Sequence, residues 1–257
     1  MMIWFAKNRF WQHLDQRCEL KVCIIGSSHT ASLKLGWDLV KDEFPNLELV
    51  FFASLGGTMR SLRAVNGKLV AVDPRVADRM SFTSGGHKSI DPQDYDAFLI
   101  YGLKLFVPRL ERGISLAVMK EVIRNTVEQG LTEKTVGRLR KVTDKTIWIG
   151  ACPLETTLDG AQEGREMHSY QAMIEEMAAA LGVPGTRMLG QPAETLCPDL
   201  RTVQALGNYA SRRKTEEQSP ADGEVAAVKN LQGELKHMNS DFGALWLREN
   251  LPIILGG

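Results

Sequence analysis

The chain has 257 residues, enough for one large domain with a substantial core, and its 44% hydrophobic and 24% charged residues match an ordinary globular protein rather than a disordered one. Its 31 basic residues balance 31 acidic ones, which excludes a net field that would steer the whole protein onto nucleic acid or an anionic membrane surface. The apolar start Met2-Ile3-Trp4-Phe5-Ala6 is interrupted by Lys7, Asn8 and Arg9, no later stretch approaches the roughly twenty uncharged apolar residues of a membrane span, and Cys18, Cys23, Cys152 and Cys197 have no paired spacing. We therefore expect a cytoplasmic protein with free thiols, no integral membrane association and no nucleic-acid partner.

Residues 1–20 mix Trp4, Phe5, Phe10, Trp11 and Leu14 with charges, as an amphipathic segment does, and 21–257 read as one domain. Lys21-Val22-Cys23-Ile24-Ile25, ending at Gly26, has the unbroken apolar character of a buried parallel strand. From Ser28 onward Leu33, Trp37, Val40 and Phe44 recur at helical spacing up to Pro45. A second apolar run, Leu47 to Ala53, leads into Leu55-Gly56-Gly57-Thr58.

Residues 60–95 scatter Gly, Pro, Asp and Ser among short apolar pieces, which suggests an insertion or lid rather than a regular unit. Ala97 to Tyr101 before Gly102, and Thr146 to Ile149 before Gly150, predict the third and fourth strands, with helical stretches between them around 114–142. Met167, Tyr170, Ile174, Met177 and Leu181 form one helix face that stops before Gly182. Residues 211–224 lack apolar periodicity and read as a loop, and the last helix is expected from about Ser240 to Asn250, ended by Pro252.

This alternation predicts an α/β fold, a three-layer α/β/α sandwich around a mostly parallel sheet. In such sheets functional groups gather beyond the carboxyl ends of the strands, where Ser28, Gly56, Gly57 and Gly102 would meet. A serine between a strand and a helix N-terminus has its hydroxyl at that edge beside free backbone N–H groups, although Ser27 or Ser28 could equally cap the helix.

Ile24-Ile25-Gly26-Ser27-Ser28-His29 resembles the first block of the SGNH/GDSL hydrolases, a flavodoxin-like fold, with Ser27 in place of the usual Asp or Asn. Glu234-Leu235-Lys236-His237 resembles their last block, and Ser54-Leu55-Gly56-Gly57-Thr58 their second. The third block departs: its Gly-x-Asn stands here as Gly102-Leu103-Lys104. The resemblance implies Ser28 as nucleophile, His237 as general base and Glu234 as the acid that orients it. It also implies an oxyanion hole from the N–H groups of Ser28 and Gly57, the latter preferred narrowly over Gly56. Lys104 could replace the missing asparagine as donor or point elsewhere, and Glu234 could be a plain surface charge.

The implied activity is a serine esterase acting on a small ester or an O-acylated substrate such as an acylated carbohydrate, with no metal and no organic cofactor. His29 is expected to line the substrate pocket, because neighbours on a helix point about 100° apart and make a poor proton-transfer pair. His13, His87 and His168 lack metal-ligand partners and read as surface or packing residues. Two other classes stay open: a binding module on the same scaffold, and an O-acyltransferase. A nucleotide site is disfavoured because neither GxGxxG nor GxxxxGK[ST] occurs.

Overall fold

The computed structural model describes residues 20–157, 166–208 and 235–256. Of the sequence expectations, the amphipathic segment over 1–20, apart from Leu20, the loop over 211–224 and the role of Glu234 fall outside the described residues.

Five strands form a parallel sheet: β1 (Leu20–Gly26), β2 (Leu47–Ala53), β6 (Ala97–Phe106), β7 (Ile147–Cys152) and β8 (Thr186–Leu189), in the spatial order β2-β1-β6-β7-β8. Side chains of successive residues leave opposite faces of a strand. In β1, Cys23 and Ile25 accordingly enter one apolar core while Val22 and Ile24 enter another, and in β2 Val50 and Phe52 part from Leu49 and Phe51 in the same way. Both faces are buried, which is why these segments read as unbroken apolar runs rather than alternating ones.

Helices α1 (Thr30–Val40) and α6 (Ser240–Gly256) cover one face. The other carries α3 (Leu116–Glu128), α4 (Leu131–Leu139) and α5 (Tyr170–Leu181). The predicted three-layer sandwich is therefore present. Of the expected helix faces, that of α1 holds, with Leu33, Trp37 and Val40 buried, although the helix begins at Thr30 rather than Ser28. On α5, Met167 precedes the helix: it pairs with Glu111 in an isolated bridge, and Ser169 caps the N-terminus by accepting from Ala172 N–H.

Residues 60–95 contain regular elements, where the sequence suggested an insertion or lid rather than a regular unit. They form an antiparallel sheet of β3 (Leu62–Val65), β4 (Lys68–Ala71) and β5 (Ser89–Ile90), together with α2 (Pro74–Thr83). Asn66 and Gly67, at φ 48° and 77°, close the β3–β4 hairpin in the doubly left-handed turn whose twist suits antiparallel strands. Strand β8 was not anticipated, and α6 continues past Pro252. Proline forfeits one helical hydrogen bond, but Leu251 and Ile254 on either side of it are buried in the core, so packing sustains the last turn.

Helices α1 and α6 cross backbone to backbone. A Cβ on Gly243 would fall on the carbonyl of Ser32, and one on Gly36 would strike the backbone of Gly243 and Ala244. Only paired glycines allow this approach. The segments just before each helix, 27–29 and 237–239, are thereby drawn to the same edge of the sheet.

Candidate active site

The strand order reverses between β1 and β6, and the crevice beyond their carboxyl ends is where an open α/β sheet gathers its ligands. Ser27, buried, donates its hydroxyl to the carbonyl of Gly102 at 2.6 Å, tying the β1–α1 turn to β6. Ser28, half-buried, is left facing the crevice. Neither serine caps α1 through its side chain: the residue preceding the helix is His29, whose side chain makes no capping bond.

Across the crevice His237 Nε2 lies 3.0 Å from Ser28 Oγ, although 209 residues separate them in the chain. The segment holding His237 is pinned from both sides. Asn208 N–H donates to the His237 carbonyl at 2.9 Å, Asn239 N–H donates to Leu206 O at 2.9 Å, and the Asn239 side chain accepts from Phe242 N–H at 3.1 Å, capping α6. The imidazole thus stands on a rigid base.

His29 does not line either cavity at the site. Its ring stacks on that of His237, with centroids 5.2 Å apart and planes inclined by 26°. Burial, and secondarily the adjacent His237, lower its pKa to about 4, opposed in part by the carbonyl of Lys236. A neutral ring therefore packs against His237 at neutral pH. His168, in contrast, only ties its Nε2 to the Ile114 carbonyl at 3.0 Å, a packing role, and His87 sits beside Phe52.

The β2 exit loop supplies the next group. Gly56 adopts φ +53° and approaches nothing, whereas Gly57 sits beneath two cations: a Cβ there would lie 2.8 Å from Arg60 Nη2 and 3.2 Å from Lys104 Nζ. Among the described residues neither the Ser28 N–H nor the Gly57 N–H donates to a protein acceptor. Lys104 stands in the left-handed region at φ +54°, two residues after Gly102 at φ +64°, where β6 shifts register against β7. Thr132 Oγ1 holds this distortion by donating to Leu103 O at 2.9 Å. The lysine where the resemblance expects asparagine therefore turns back toward Gly57, in a small cavity of about 230 Å³ shared with Arg60 and Lys134.

On the other side of the same loop a larger groove of about 720 Å³ begins at Ser27 and Ser28. Of its exposed apolar wall residues, Leu35 and Phe82 were not singled out from the sequence, since neither carries chemistry of its own, and Leu55 entered only as part of the Ser54–Thr58 run. Among the described residues no group of three or more His, Cys, Asp and Glu side chains could hold a metal ion, and no helix is long and apolar enough to cross a membrane. Cys23, Cys152 and Cys197 are free.

No family model matches the chain, and no curated protein matches it. Among solved structures it is similar to a candidate platelet activating factor from Streptococcus pneumonia at 7% identity and a TM-score of 0.41, covering 96% of this chain and 90% of that one. It is also similar to a carbohydrate esterase whose active site has divergent catalytic and non-catalytic binding functions, at 12% identity and a TM-score of 0.36, covering 80% and 66%. A third is a gut microbial diltiazem-metabolizing enzyme, at 10% identity and a TM-score of 0.37, covering 80% and 41%. At that distance no chemistry transfers, and the topology and the site stand on the chain's own geometry.

Proposed function

We propose that this protein is a serine ester hydrolase of SGNH type, working through an acyl-enzyme on Ser28 with His237 as general base. The observation that carries the reading is the 3.0 Å contact between Ser28 Oγ and His237 Nε2, made at the sheet edge where a substrate has access. His237 takes the hydroxyl proton as Ser28 attacks the ester carbonyl, and returns it to the leaving alcohol. The developing oxyanion is met by the N–H groups of Ser28 and Gly57, with the Lys104 ammonium beside Gly57 adding positive charge where the resemblance has an asparagine amide. Water, activated by the same histidine, then releases the acid. Glu234, three residues before His237, is proposed to fix the imidazole tautomer.

The chemistry calls for neither metal nor organic cofactor, and its substrate is a small ester or an O-acylated molecule such as an acylated carbohydrate. The lysine in place of asparagine supports a second reading, a weakly catalytic binding module on the same scaffold. Hydrolysis of p-nitrophenyl esters and labelling by a fluorophosphonate separate the two. The first reading expects turnover and labelling in the wild type. It also expects a loss of at least about a thousandfold in kcat/KM in folded Ser28→Ala and His237→Ala, as for other serine triads. Equal, negligible rates in all three proteins with no labelling leave the binding module.

A further inference from the structure

We propose that the groove opening from Ser28 is the binding site for a medium-length hydrocarbon acyl chain, so that the substrate is a fatty acyl ester rather than an acetyl ester. This assignment rests on the hydrolase reading for its chemistry, but the groove can be tested without turnover.

Two helix faces and the sheet edge build the groove. Ala31, Lys34 and Leu35 of α1 form one wall and Arg79, Phe82 and Thr83 of α2 the other, each set spaced i, i+3, i+4 so that its side chains share one face. Phe51 and Ala53 of the edge strand β2 lie between them, with Leu55 at the loop end beside Ser28. One polar group of that edge is satisfied within the protein: Thr83 Oγ1 accepts from Ala53 N–H at 3.0 Å and donates to Arg79 O.

Leu35, Leu55 and Phe82 remain 54%, 57% and 89% exposed, so three large apolar side chains around one groove face water at a cost that a hydrocarbon ligand would remove. The hydroxyls of the lining are engaged within the protein, Ser27 with Gly102 O, Thr30 with Ser27 O and Ser54 with Thr58, and Arg79 adds a cation to the α2 wall. Lys34 is engaged with Asp38 and lies over the Phe51 ring, which leaves its charge compensated rather than aimed at the ligand. A sugar or peptide would need donors and acceptors along this channel. A chain of methylenes needs none, and the about 720 Å³ available far exceeds what an acetyl group fills.

The occupant is an acyl chain rather than a partner protein because the one nucleophile of the site lies at the groove's end. A chain laid along the α1–α2 channel presents its ester carbon to Ser28, with the carbonyl oxygen toward Gly57 and Lys104 and the leaving alcohol toward His237.

The test is calorimetric titration of the full chain, as Ser28→Ala, with sodium acetate, hexanoate and decanoate below their micelle concentrations, alone and combined with Leu35→Gln or Phe82→Ser. A fully buried methylene is worth roughly fourfold in affinity and a half-buried one roughly twofold. Decanoate is therefore expected to bind about tenfold or more tighter than hexanoate, with acetate undetectable, and both groove variants to flatten the dependence on chain length. Leu116→Gln, which removes an equally exposed leucine on α3, should leave that dependence intact. Equal affinities for all three acids, or the same flattening in Leu116→Gln, overturn the proposal. So does a sedimentation result in which the face proves to be covered by a second copy, the wild type dimeric and Phe82→Ser monomeric. Decanoate binding without any esterase activity keeps the groove and removes the hydrolase reading, so the two failures are distinguishable.

Discussion

His29 links the site to the stability of the fold. Its folded pKa of about 4 against an ordinary value of 6.5 means that the unfolded chain takes up a proton which the folded one refuses. Stability from this residue is thus present in full above pH 6.5 and declines as pH falls toward 4, by up to about 3 kcal/mol, before levelling off. In His29→Phe, which keeps a flat ring against His237, urea unfolding between pH 4 and 7 should show a shallower loss of stability than the wild type. Identical slopes would mean that His29 titrates normally. At this scale the sequence singled out Ser28 and His237 by their types and neighbours, and the fold brings the two within 3.0 Å. It was silent about the stacked pair: the position of His29 beside Ser28 says nothing of the His237 ring packing on it from the far end of the sequence. The left-handed Lys104 was also hidden, since a non-glycine in that conformation leaves no compositional trace.

Among the elements, the α1–α6 crossing has the sharpest consequence. An added methyl on Gly243 meets the Ser32 carbonyl, a backbone atom that cannot step aside, so Gly243→Ala should cost roughly 3 kcal/mol or more as the helices separate. Because Ser28 and His237 sit close before these two helices, any esterase activity should fall further than the folded fraction does. Gly137→Ala is expected to have the opposite sign. That glycine lies within α4 with open space around its Cα, and the substitution should stabilise by roughly 0.5–1 kcal/mol through helix propensity. Urea midpoints of the two variants check both signs. The Gly36–Gly243 contact was not legible, because a glycine in a helical pattern reads only as a mild cost until its partner helix is known. The β3–β4 hairpin was legible and overlooked. Asn66-Gly67 between Leu62–Val65 and Lys68–Ala71 is a strong local hairpin signal, but the surrounding Gly, Pro and Ser made the segment look irregular.

For the whole molecule, the fold class followed from the alternation of doubly buried strands with helices, whereas the strand order did not, since nothing local in β6 says that it lies beside β1 rather than β2. That order makes the chain's two ends interdependent. Trp37 of α1, Trp148 of β7 and Trp246 of α6 share one core with Phe242, Leu247 and Leu251, so α6 is part of the packing that holds β1 and β7. A helix so committed should not detach before the sheet does. In a Trp4→Phe, Trp11→Phe background, which leaves these three tryptophans as the fluorophores, fluorescence and far-ultraviolet circular dichroism should report one coincident urea transition. Fluorescence that changes at lower urea would instead identify α6 as a separately opening unit. His237 would then leave Ser28 before the domain unfolds, and any esterase activity should disappear with the fluorescence rather than with the dichroism.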